Sequence, residues 1–246
     1  MRTPHAFRAR TFLTSALALT LLALPMAASA QEGFARRDEI PDAHLRGVTH
    51  VVCVTFPQDA APEVPVFERR GIGFQPAGAV PRARTAPLSR WSDPGGWQED
   101  CYPAFEHERV DHHGVSIRYA QAMLDVRSGR KAWVREGGDP MTVWVTIESL
   151  QRPLEAFEDK GVEFFKLRRP DQPPLIVREA PRDEASPTDL DLHDDLVILG
   201  KRVGDYAEVL VFDEAREEYR RRGWVRLVDA QDTLLLWPAN QPSHGC

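Results

Sequence analysis

The chain has 246 residues, 31 basic against 37 acidic side chains and three cysteines. A net negative charge with no basic domain argues against nucleic acid as a partner and against simple electrostatic docking on an anionic membrane. The length allows one larger domain or two small ones.

Residues 1–30 read as a secretory signal peptide. Arg2, Arg8 and Arg10 form a basic start, Phe12 to Leu24 is an uncharged apolar run, and Ala28-Ser29-Ala30 is a small-residue cleavage site before Gln31. The run is short for a membrane span, which needs about 20 apolar residues. Cleavage there leaves 28 basic and 37 acidic residues, a net of −9, in a periplasmic or secreted protein without a membrane span. Residues 31–46 are a polar lead-in.

From Val48 onward the pattern is one of short strands. Val51, Val52, Val54 and Phe56 are β-formers stopped by Pro57. Val64 to Phe67 is a second run, stopped by Gly71 and Gly73. Residues 74–103 hold five prolines and Gly95-Gly96 and read as a long loop. Phe105–Val110, a turn at 111–114, Val115–Val126, Lys131–Arg135 and Met141–Ile147 complete a first unit at 47–150. Residues 151–160 form a linker, in which 153–160 is a helix candidate. A second unit spans 161–240, with strands over Val162–Leu167, Leu175–Val177, Leu196–Val203, Tyr206–Phe212, Trp224–Val228 and Thr233–Trp237. Its residues 180–195 are an acidic loop. Residues 213–222 are a second short helix candidate, because Glu217–Arg221 and Glu218–Arg222 are four apart. Residues 241–246 are a tail.

The two units share landmarks in the same order. Lys131-Ala132-Trp133-Val134-Arg135 returns as Arg222-Gly223-Trp224-Val225-Arg226, an offset of 91 residues. Gly47-Val48 answers to Gly161-Val162, Val64–Arg69 to Leu175–Glu179, and Arg109-Val110-Asp111 to Arg202-Val203-Gly204. Two copies of one small all-β unit are therefore expected. Strands this short, in units this small, suggest a twisted barrel that leaves few free edges.

The strand Leu175–Glu179 before a long loop, the strand pair around Gly204 and the closing Gly223-Trp224-Val225 resemble the bacterial SH3-like (SH3b) domain. The resemblance covers roughly residues 161–238 and, less closely, 47–150, where Ala132 replaces the glycine. It implies two SH3-like β-barrels in tandem and a binding role, often toward peptidoglycan stem peptides or protein segments. It implies no catalysis.

Candidate sites follow from residue chemistry. Trp91, Trp97 and Tyr102 lie among prolines and could form a peptide groove, since rigid rings supply contact area at low entropy cost. Tyr206 and Trp237 are further groove candidates. Trp133 and Trp224 belong to the repeated phrase and read as structural. Glu106-His107-Glu108-Arg109-Val110-Asp111-His112-His113 is dense in ligand-type side chains, and a metal-assisted hydrolase built on it is the enzymatic alternative. In a strand and turn that spacing scatters the donors, so no metal is expected. A structural role in the envelope is a further alternative. Among the three cysteines a Cys53–Cys101 disulfide is the first expectation. Pairings with Cys246, or no bridge, stay open. With no nucleophile motif, phosphate loop or dinucleotide fingerprint, the reading is a non-enzymatic binding protein without a cofactor.

Overall fold

The computed structural model describes residues 33–34, 37–92, 94–139, 141–150, 162–167, 172, 174–192 and 196–239. The expected signal peptide, the 151–160 linker and the 241–246 tail lie outside them. The described residues are almost wholly β, with three short 3-10 turns, and no described helix is long and apolar enough to cross a membrane.

The first sheet is built from β1 (Gly33–Phe34), β2 (His50–Pro57), β3 (Glu63–Arg70), β4 (Gly73–Pro81), β5 (Ser89–Ser92), β6 (Trp97–His112), β7 (Val115–Asp125), β8 (Arg130–Arg135), β9 (Gly137–Asp139) and β10 (Val143–Ser149). Its order is β4-β3-β8-β7-β6-β2-β10-β9, and β1 and β5 add to the start of β6. The second sheet contains β11 (Val162–Lys166), β12 (Leu196–Val203), β13 (Tyr206–Asp213), β14 (Glu218–Arg226) and β15 (Leu236–Pro238), in the order β14-β13-β12-β11-β15. Among the described residues neither pairing path returns to its first strand. The first sheet is curled instead: Val64 on β3 and Val145 on β10 lie far apart in strand order yet share one apolar cluster with Val52, Tyr102 and Val134.

The tryptophan landmarks occupy equivalent places, whereas the arginine-valine landmark does not: His107 opposite Ala120, rather than Arg109, matches Arg202 opposite Ala207. In the first sheet Phe67 of β3 stands opposite Trp133 of β8. In the second, Arg178 stands opposite Trp224 of β14, with backbone hydrogen bonds of 2.8 Å in both directions. Beyond these contacts the order β8-β7-β6-β2-β10 matches β14-β13-β12-β11-β15 strand for strand, in the same chain sequence. The departure from the repeat also has a local cause. A Cβ on Gly223 would come within 2.5 Å of Val177 Cγ1 and 2.8 Å of the Arg178 carbonyl oxygen, so this copy takes glycine where the other has Ala132.

Two expectations of local structure are overturned. Residues 74–103 are not a loop but contain most of β4, all of β5 and the start of β6. Pro76 and Pro81 are accommodated because β4 is an edge strand, and Pro103 lies past the end of the β5 pairing, which stops at Ser89↔Cys101. Buried charge holds the segment down. Asp100 is fully buried and receives Arg82 (2.9 and 3.2 Å) and Arg90 (2.7 and 3.1 Å), each through two guanidinium nitrogens. Residues 213–222 are a hairpin rather than a helix: Leu210 to Asp213 pair with Arg221 to Glu218. The charges there meet across strands, with Arg221 at 3.5 Å from Glu208 and Arg220 at 3.3 Å from Asp213. The 153–160 helix candidate lies outside the described residues.

Each sheet has its own apolar cluster, and a third belongs to both. Phe164, Val197, Leu199, Val209, Val225 and Leu236 fill the second sheet. Ile40, Leu45, Val51, Cys53, Leu88 and Met123 of the first half pack with Leu167, Val228, Leu234 and Trp237 of the second. Strand alternation makes this possible. Leu236 points into the second sheet's cluster and Trp237 into the shared one, while Val51 and Cys53 face the shared cluster and Val52 and Val54 the first. Trp237 is fully buried, and its Nε1–H donates to Ser89 Oγ at 2.9 Å across 148 residues of sequence. The backbone continues the join: Gly47 N–H donates to Asp232 O at 3.0 Å and Leu234 N–H to Leu45 O at 2.9 Å. The expectation of two separately sealed units is amended accordingly.

Cys53 and Cys101 form the disulfide, S–S 2.08 Å, between directly opposed positions of β2 and β6. Closing a loop across 48 residues of separation restricts the unfolded chain by about 4 kcal/mol on the chain-entropy account.

Because Trp237 belongs to the cluster shared by both sheets, Trp237→Ala is expected to cost about 3–5 kcal/mol. Amide exchange should show protection falling together in β2, β6, β11 and β12. Loss confined to the second sheet would show that the sheets are stabilised independently.

Candidate functional site

A cavity of about 500 Å3 opens between the two sheets. The first sheet contributes Thr49, His50, His107, Arg109, Arg118 and Ser149 around it, and the second contributes Phe164, Arg202, Asp232 and Leu236. Each polar group is aimed by strand geometry. His107 and Arg109 are two apart on β6 and so share a face, while Glu108 between them turns away to meet Arg69 at 3.1 Å. Register then sets Arg118 of β7 directly opposite Arg109. His50 opens β2, and its ring lies 4.3 Å from that of His107, centroid to centroid.

The electrostatics of this wall are unbalanced toward positive charge. Arg118 is bound by Glu136 through two guanidinium nitrogens. Arg109 has no carboxylate partner among the described residues, although it faces another arginine across the strands, an arrangement that like charges disfavour. Arg202 donates its Nε–H to the carbonyl of Gly204 at 2.6 Å. Burial pulls its pKa down from the ordinary arginine value, and the fields of Asp205 and Asp232 oppose that fall.

His50 is kept neutral. Burial first, then the neighbouring His107 and Arg118, lower its pKa to about 4. Its tautomer follows from the hydrogen bonds. The Thr49 hydroxyl donates to Phe105 O at 2.9 Å, so at 2.8 Å it accepts from His50 Nδ1–H, which leaves Nε2 as an acceptor. The cleft therefore presents guanidinium donors beside one neutral imidazole.

Of the sequence-derived candidates, His107 lines the cleft, and those expected to form a groove fall elsewhere. Tyr102 and Trp237 are fully buried and offer no surface to a ligand, because each closes an apolar cluster; Tyr102 is pinned by its hydroxyl donating to Thr85 Oγ1 at 2.9 Å. The groove role expected for them is corrected to a core role. Trp91 and Trp97 are brought to one face, since Trp91 stands opposite Glu99 and Trp97 is two residues from Glu99 on the same strand. Trp91 is exposed and Trp97 half-buried. Tyr206 is nearly buried, its hydroxyl bound to Asp183, and it lines a separate cavity of about 380 Å3 with Leu175, Ile176 and Arg226. The chemistry-rich run from Glu106 is divided by strand alternation, and the His112 side chain lies outside the described residues. Among the described residues, Cys53, Glu99 and Cys101 come together as metal-type donors, with both sulfurs committed to the disulfide.

Sequence reasoning did not single out Arg109, Arg118, Arg202 or His50 as a site. One signal was present: Arg109 lies two residues from His107 in the run from Glu106, so the two share a strand face. No family model, no curated protein and no solved structure matches this chain.

The His50 pKa sets a pH window for stability. An imidazole at about 4 when folded and about 6.5 when unfolded takes up its proton earlier in the unfolded chain. The folded state should therefore lose stability as pH falls from about 6.5 to about 4. Urea unfolding across this range should show the loss in the parent protein and a smaller one in His50→Gln. Equal losses would mean that His50 titrates normally.

Proposed function

We propose that this protein is an exported, non-catalytic binding module that holds a carboxylate-bearing peptide or protein segment, such as a cell-wall stem peptide, in the cleft between its sheets. The observation that carries the reading is the convergence of Arg109, Arg118 and Arg202 on one cavity, with only part of their charge matched by neighbouring acids. Guanidinium groups suit planar carboxylates because two parallel N–H bonds can be made at once. The cavity's size suits a few residues of a ligand rather than a single ion.

The tandem SH3-like reading is part of this proposal. It is supported by the matched strand order of the two sheets and by the repeated tryptophan-valine phrase on β8 and β14. Export is supported by the leader-like first 30 residues and by a buried disulfide, a bond that persists in oxidising compartments. Trp91 and Trp97, on their shared face, are a second contact area for the same class of partner. Against the metal-assisted hydrolase stands the strand geometry of β6, which turns His107 and Glu108 to opposite sides.

The experiment is titration calorimetry with a stem tetrapeptide carrying free carboxylates and with its fully amidated form. The acidic form should bind at least tenfold more tightly, and Arg109→Ala should remove at least tenfold of that affinity, about 1.4 kcal/mol. Equal binding of the two forms, or no effect of Arg109→Ala, would leave the protein as a structural part of the envelope.

A further inference from the structure

We infer that the cleft recognises a ligand with two anionic centres, one taken by each sheet, through Arg109 on the first and Arg202 on the second. The inference rests on the proposed function and narrows its ligand class.

The join between the sheets brings an arginine from each to one opening. Arg109 and Arg202 lie near the ends of β6 and β12, which hold the same place in the two strand orders. They are not register equivalents: His107, opposite Ala120, takes the place that Arg202 holds opposite Ala207. Both arginines line the cleft, from opposite sheets. His50 and Phe164, each three residues after the glycine of its Gly-Val landmark, line it too.

Among the described residues the charge is unmatched at Arg109 and only partly met at Arg202, where Asp205 and Asp232 lend support without an ion pair. On the first sheet, Glu136 occupies Arg118, while Arg109 stands opposite it with no acid of its own among the described residues. A ligand anion placed there would relieve the repulsion of the Arg109–Arg118 pair. On the second sheet, Arg202 is half-buried and anchored through Nε to a backbone carbonyl, with no ion pair to Asp205 or Asp232. That anchoring fixes the guanidinium while leaving its terminal nitrogens available for an acceptor. A single-centred anion would meet one sheet's demand. Two centres on one molecule meet both, and the second contact forms at the high effective concentration that linkage confers. The neutral His50, with Nε2 as an acceptor, can accept a hydrogen bond from an amide or hydroxyl group of the ligand.

Dicarboxylates and diphosphates share this chemistry, and the test separates them. Calorimetry at low salt would compare acetate with glutarate and orthophosphate with pyrophosphate, on the parent protein and on Arg109→Ala, Arg202→Ala and the double variant. The two-centred anion of one pair should bind at least tenfold more tightly than its one-centred counterpart. Either single substitution should reduce it to the one-centred level, and Arg202→Lys should recover part of the loss, separating lost charge from lost fold. A preference within the carboxylate pair assigns the ligand to acidic peptides, and one within the phosphate pair to phosphoryl compounds. If one- and two-centred anions bind alike, or if Arg202→Ala leaves glutarate and pyrophosphate binding unchanged, the two-ended site is overturned while an anion site on the first sheet survives. If the parent protein binds none of the four, the anion-binding reading falls with it.

Discussion

Everything in this molecule depends on the apolar cluster that the two sheets share. Trp237 sits at its centre, fully buried, with its indole N–H satisfied by Ser89. A buried tryptophan removes a large apolar area from water, and its N–H must find a partner when it does so. The partner comes from the other half of the chain. The indole therefore acts as a geometric constraint as well as a hydrophobic one, fixing β15 against β5. The cleft owes its shape to this join: Val228 and Leu234 are members of the shared cluster and also line the cavity.

The packing of the two sheets gives the cleft its mixed lining. Two sheets of matched strand order, packed through Trp237 and the Leu45–Leu234 backbone contact, bring Arg109 and Arg202 to a common opening. Divergence then differentiates the walls. The first wall has His50 where the second has Phe164, and the second adds Arg202 and Asp232. Because the cleft is lined by both sheets, a ligand gripping both walls would report on their relative position, which the shared cluster holds.

A second constraint, the buried Asp100 with Arg82 and Arg90, shows how charge can order a segment whose composition reads as a loop. Burying a carboxylate is costly unless it is paired and hydrogen-bonded, and here two guanidinium groups each supply two nitrogens. The pairing ties Arg82 and β5 to β6. Proline spacing suggested a loop because it reports on the backbone donors that are missing. It does not report whether those positions lie at a sheet edge, where the missing donor is harmless.

The sequence by itself determined the all-β character, the repeat with its matched landmarks, and the preferred Cys53–Cys101 pairing, because strand alternation, turn glycines and a duplicated phrase are local signals that one chain displays in full. Tertiary structure alone decided that 74–103 forms strands and that 213–222 is a hairpin rather than a helix. It also decided that Tyr102 and Trp237 are core residues and that Arg109, Arg118, Arg202 and His50 share one cavity. Each of these depends on which strand lies beside which. An exposed ring and a buried ring have the same letter, and two arginines 93 positions apart become neighbours in function only when the sheets that carry them are packed together.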